Sequence, residues 1–142
     1  MKAKREHRVP LAPAVVELLA ELKAANVGRR TSFVFPHPRR DDRPVSENAI
    51  LYVLAELGYK GRHSGHGYRT MFSTIANESG LHRSDVIEAA MSHKDSDRIR
   101  AIYNRASYAA ERRQLANWYA DELARLEADT AAKVIDTRHA VA

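Results

Sequence analysis

The sequence predicts a mainly α-helical chain with a small β element near its N-terminus, an α+β class in which helices dominate. Two observations carry that expectation. Apolar residues recur at three- and four-residue spacing through most of the chain, the signature of amphipathic helices. The strand-like runs, by contrast, are short and early: His7-Arg8-Val9-Pro10-Leu11 and Phe33-Val34-Phe35. A length of 142 residues with 44% hydrophobic content suits a single core. Residues 1–128 are therefore expected to form one domain, and 129–142, small and polar, a flexible tail.

Each element has its own signal. From Pro13 to Ala25, Val15, Leu18, Leu19 and Leu22 share one helical face, which reads as core, and Gly28 supplies a stop. Pro36 to Pro44 holds three prolines with Arg39, Arg40 and Arg43, which reads as an exposed loop near a polyanion. Ser46 can cap a helix carrying Ile50, Leu54 and Leu57 up to Gly58. After a polar connection from Tyr59 to Gly65, a helix is expected from His66 to Ser79, burying Phe72, Ile75 and Ala76 and ending at Gly80. Ser84 can cap a short helix through Val86, Ile87, Ala90 and Met91, and a further short helix would carry Ile99, Ile102 and Tyr103. The longest should run from Tyr108 to Ala128, with Leu115, Trp118, Leu123 and Leu126 as an apolar seam.

Composition narrows the function classes. The formal net charge is +5, from 23 Lys+Arg against 18 Asp+Glu, a balance that favours polyanionic partners. With no cysteine there is no disulfide, thiolate metal site or thiol nucleophile, so any catalysis uses oxygen and nitrogen groups. No run approaches the roughly 20 apolar residues that a membrane helix needs. The start, Met1-Lys2-Ala3-Lys4-Arg5, lacks the apolar core of a signal peptide, so a cytoplasmic protein is expected. No glycine-rich phosphate loop, internal repeat or low-complexity tract stands out.

One ordered set of residues carries chemistry: His66-Gly67-Tyr68-Arg69, then Met91-Ser92-His93, then Tyr103-Asn104-Arg105. Cleaving a phosphodiester without a metal requires a nucleophile, charge on the nonbridging oxygens and a proton for the leaving alkoxide. Arg69 offers a permanently charged fork for two phosphate oxygens, set in a helix first turn where the dipole adds positive potential. His66, three residues earlier on the same face, can accept the phenol proton or hold the phosphate, and His93 can donate to the same phosphoryl group. Tyr103 is the candidate nucleophile; a phosphotyrosine would store the bond energy for religation, so no cofactor is expected. Double-stranded DNA is the implied substrate. Arg62 and Arg100 are candidates for flanking phosphate contacts, with solvated charge as the alternative.

With that order of motifs the chain resembles the catalytic domain of tyrosine recombinases, the integrases of temperate phages and genomic islands. The matching pieces are Lys2 with His7-Arg8-Val9-Pro10-Leu11, Gly65 to Thr70, Met91-Ser92-His93-Lys94, Arg100 to Arg105, and Asn117-Trp118-Tyr119-Ala120-Asp121. The resemblance implies the integrase catalytic fold, truncated at its N-terminus, with Tyr103 forming a 3′-phosphotyrosyl link and Arg69 as the second of two catalytic arginines. It makes His66 and His93 the phosphate-contacting histidines, and gives Lys2 the role of a β-hairpin lysine that protonates the leaving oxygen. The partners it implies are DNA attachment sites and other copies of the chain, as a homotetramer on DNA, with no small-molecule ligand. The family's first catalytic arginine lies upstream of the hairpin, so this stretch by itself is expected to cleave weakly or not at all.

Other readings compete with that one. A catalytically inactive DNA-binding or assembly module fits the net charge and the missing arginine. A metal-dependent nuclease would need His63, His66 and His93 as ligands, but His63-Ser64-Gly65-His66 crosses a loop and lacks a metalloprotease glutamate, so no metal is expected. Arg112 and Arg113 beside Glu111 read as ordinary surface. Leu115, Trp118 and Leu126 can face their own core or a neighbouring protomer, with the core favoured.

Overall fold

The computed structural model describes residues 8–92 and 108–139, with side chains as far as Ala131. It is mainly helical, with one two-stranded antiparallel sheet. The elements in order are α1 (Pro13–Ala25), β1 (Pro36–His37), β2 (Arg40–Pro44), α2 (Ala49–Glu56), α3 (Gly65–Glu78), α4 (Ser84–Ala90) and α5 (Ala109–His139). The chain divides into two compact units, one of residues Ala14–Ile75 and the other of Met1–Pro13 with Ala76–Ala142.

In the Ala14–Ile75 unit, α1 has the predicted bounds and Gly28 follows it at φ +89°, a left-handed position that suits glycine. Its expected core stripe is not buried: Val15 and Leu18 are exposed, and Leu19 and Leu22 are half-buried. Period alone forms the helix, whereas burial needs an opposing surface, and the described residues supply little of one. α2 repeats the pattern, with Leu54 buried and Ile50 and Leu57 exposed. Ser46 does not cap it; Asn48 holds that position without a side-chain bond, while the Ser46 hydroxyl accepts the Asn48 N–H at 3.3 Å.

The sheet differs from expectation in place. Phe33-Val34-Phe35 forms no strand, and the proline-rich stretch read as a loop contains the hairpin, with Pro36 opposite Pro44 and His37 opposite Arg40. Arg8 to Leu11 likewise form no strand. The hairpin is fastened from outside by Arg29, which donates to Asp41 Oδ1 at 2.8 Å and to the His37 carbonyl at 2.6 Å, while the Arg30 N–H donates to Asp41 Oδ2 at 3.1 Å. The Arg29 bond, then the Arg30 N–H, hold the Asp41 carboxyl below its ordinary range despite some desolvation.

The second unit has the better-formed core. α4 and α5 pack together, burying Val86, Ile87 and Met91 with Leu115, alongside Ala12 and Ala76. Arg83, not Ser84, is the N-cap of α4, in extended conformation and with no side-chain cap bond. On α5 the apolar seam divides: Leu115 is buried and Trp118 is half-buried against the His82 ring, centroids 4.7 Å apart, whereas Leu123 and Leu126 are exposed. Arg112, read from sequence as surface, is 7% exposed, and its Nη2 donates to the Arg8 carbonyl. The α5 backbone continues as helix to His139, past the expected end at Ala128. Among the described residues no helix is long and apolar enough to cross a membrane.

Candidate nucleic-acid cleavage site

The first turn of α3 carries the described part of the candidate site. Ser64 caps it, its hydroxyl accepting the Gly67 N–H at 3.2 Å, so the helix starts at Gly65, one residue before the expected His66. The cap was legible in principle: a serine three positions before Gly67 fits the N-cap pattern, but it lay in a stretch read only as a polar connection. His66 is therefore in the first turn and Arg69 one turn on, which puts both on one face. Both side chains are exposed. The helix also turns the positive end of its dipole to the same region. An exposed imidazole and guanidinium above a helix N-terminus can together hold a tetrahedral dianion and move a proton at its edge.

Gly67 sits between these groups, although glycine in a helix costs about 0.5–1 kcal/mol relative to alanine. A local reason is visible. A Cβ on Gly67 would lie 2.9 Å from Cε1 and 3.1 Å from Nδ1 of His63, whose ring covers this point of the turn. That ring also meets Tyr68 edge-on, centroids 4.4 Å apart at 81°. His63 Nε2 is buried without a hydrogen-bond partner. The sequence offers His63 only as a metal ligand; its packing against Gly67 is a property of the folded turn. Among the described residues no group of three His, Cys, Asp or Glu side chains is arranged to hold a metal ion.

Arg62 is exposed in the turn before α3, its guanidinium 5.8 Å from the Tyr59 ring centroid and its N–H donating to the Tyr59 carbonyl at 2.9 Å. Lys2, His93, Arg100 and Tyr103 lie outside the described residues. Ser92, immediately before His93 and two residues past the end of α4, has φ +56° and donates its N–H to the Ala89 carbonyl. On the other side of that interval Tyr108 has φ +45°, and its carbonyl accepts the Arg112 N–H that opens α5.

Residues 1–110 match the model of the phage integrase family, which covers most of the chain and both histidine motifs. The chain belongs to that family. It corresponds to the catalytic region of these tyrosine recombinases. Among curated proteins, "Prophage integrase IntS" of Escherichia coli (strain K12) is 41% identical over 124 residues, 87% of this chain and 31% of that protein. "Integrase" of Shigella phage Sf6 is 40% identical over 124 residues, with the same shares of the two chains. "Prophage integrase IntZ" of Escherichia coli (strain K12) is 44% identical over 123 residues, 87% of this chain and 30% of that protein. The chain thus spans about 31% of the length of the first relatives it matches. No solved structure matches it.

Proposed function

We propose that this integrase segment takes part in site-specific DNA recombination by cutting and rejoining a DNA strand through a 3′-phosphotyrosine. In this reading the Tyr103 oxygen attacks phosphorus, the bond from phosphorus to the 5′ oxygen breaks, and the tyrosine carries the 3′ phosphate. Arg69 holds two nonbridging oxygens as negative charge moves onto them. His66 takes or stabilises the phenol proton, His93 donates to the phosphoryl group, and Lys2 supplies the proton that leaves with the 5′-hydroxyl. Religation reverses each transfer. No cofactor enters, because the covalent link conserves the energy of the broken bond. Arg62 and Arg100 add phosphate contacts beside the scissile position. The working state would be a homotetramer on attachment-site DNA in the bacterial cytoplasm.

The observation that carries the reading is the placing of His66 and Arg69 on one face at the capped start of α3, within a chain of the integrase family. Three other tyrosines are engaged in ways that suit structure. Tyr108 donates to Asp85, Tyr68 packs on His63, and burial pushes the Tyr119 phenol up, away from the phenolate an attack needs. The test uses a longer polypeptide that joins these residues to an upstream arginine, incubated with nicked suicide DNA. A covalent protein–DNA adduct is expected, and Tyr103→Phe should abolish it. Salt-sensitive binding without any adduct would assign the segment instead to a DNA-binding or assembly role.

A further inference from the structure

We propose that His63 is a positioning residue, its ring seated on Gly67 so that the first turn of α3 presents His66 and Arg69 together. The inference rests on the functional reading above and deepens it.

The seat is built from several directions. Arg62 and His63 both donate their N–H groups to the Tyr59 carbonyl, at 2.9 and 3.2 Å, folding the chain back just before the helix. Gly61, within that fold, takes a left-handed φ of +74°. The Ser64 cap then fixes the Gly67 N–H from the next residue along. The His63 ring closes over the same glycine, with Cε1, Nδ1 and Nε2 at 2.9, 3.1 and 3.4 Å from where a Cβ would stand. Tyr68 holds the ring edge-on from the helix side. With Nε2 buried and unpartnered, the ring serves by its shape and its aromatic contact rather than by a hydrogen bond there.

Gly67 lies directly between His66 and Tyr68, and Arg69 follows two positions later. Whatever shifts the backbone at Gly67 therefore re-aims both groups that would meet the phosphate. Contact geometry at a reacting phosphorus is unforgiving, since a misplacement of about 1 Å can cost 10²-fold in rate. The side chain at 63 and the missing side chain at 67 are thus two halves of one fit. A ring seated at 63 must shift to admit a methyl at 67, so the two fit in place together only when one of them is absent.

The test is a double-variant cycle with His63→Ala, Gly67→Ala and the two together, in the longer polypeptide with an upstream arginine. Each single variant should slow adduct formation on suicide DNA about tenfold while changing DNA affinity less than about twofold, because aim is lost and phosphate attraction is not. The double variant should recover most of the lost rate, because the alanine methyl at 67 occupies the space the ring vacates. In the 142-residue chain, melting temperatures of the same four proteins should show the same non-additivity. An unchanged rate in His63→Ala, or a double variant whose losses simply add, overturns the positioning role while a Tyr103-dependent adduct leaves the functional reading standing. An adduct that persists in Tyr103→Phe overturns the functional reading, and the presenting role with it, whatever the melting temperatures show.

Discussion

The Tyr108 hydroxyl donates a 3.1 Å hydrogen bond to Asp85 Oδ2, tying the start of α5 to the first turn of α4 across 23 residues of sequence. Arg83 completes the group, with Nη2 2.6 Å from the same Asp85 oxygen and its guanidinium 5.7 Å from the Tyr108 ring centroid. Burial alone would raise the Asp85 pKa. The Tyr108 bond, the Arg83 charge and bond, and the Val86 N–H outweigh it, so the carboxyl titrates below its ordinary value of 3.8.

Tyr108→Phe removes the donor and keeps the ring. The loss should be about 1 kcal/mol, the usual net value of one such bond with a charged acceptor in a partly exposed site. The Asp85 carboxyl should then titrate higher. Because the folded pKa is depressed, the stabilisation is fully present above 3.8 and disappears as pH falls through the folded value. Urea unfolding of parent and variant at neutral and acid pH, with carboxyl titration by NMR, checks both parts; equal pKa values in the two proteins would refute the account.

Asp41→Asn tests the hairpin fastening. The variant keeps an acceptor for the Arg30 N–H but loses the charge that Arg29 grips. Asp41, like Asp85, has a depressed folded pKa, so the parent should be more stable than the variant at neutral pH. That difference should shrink once the pH drops below 3.8 and vanish below the folded value. The ion pair is exposed, so added salt should weaken it as well. Amide exchange at Arg30 and across β2 gives a local readout.

These two contacts also show why parts of the fold were hidden in the sequence. Helix ends were legible where a single residue decides them: Gly28, Gly58 and Gly80 all take left-handed φ after α1, α2 and α3, and each was expected as a stop. The hairpin was not, because its site depends on Arg29 reaching Asp41 twelve residues away, while local propensity pointed to Phe33-Val34-Phe35. Arg112 departs from its expected surface place for a similar reason. Its charge and the neighbouring Arg113 and Glu111 suggest solvent, but burial and the Arg8 carbonyl are properties of the packed unit. In the candidate site, the spacing of His66 and Arg69 was readable from helical period, whereas the His63–Gly67 fit needed coordinates.

Arg112→Ala should be strongly destabilising for a residue of its type. Truncation leaves the Arg8 carbonyl without this donor and removes a buried side chain, for a combined cost of about 2–3 kcal/mol. Arg112→Lys should not restore the parent, since an ammonium lacks the planar fork that reaches the carbonyl from a buried stem. Denaturant midpoints for the three proteins give the comparison, and an alanine variant as stable as the parent would show that the buried guanidinium is dispensable.

Variants at Arg69 can separate catalysis from attraction. With the candidate roles assigned above, Arg69→Ala in the longer polypeptide should reduce Tyr103 adduct formation by about 10²–10³-fold, the range seen when one preorganised charge donor is removed from a developing oxyanion. Affinity should fall far less, because one phosphate contact among several contributes only its share of counterion release. Arg69→Lys keeps the positive charge but not the two-pronged geometry, so it should recover binding more fully than rate. The comparison therefore distinguishes a guanidinium that grips the reacting phosphate from one that merely adds to a basic surface. In the second case both variants would lower affinity and rate in parallel, and lysine would restore the two together.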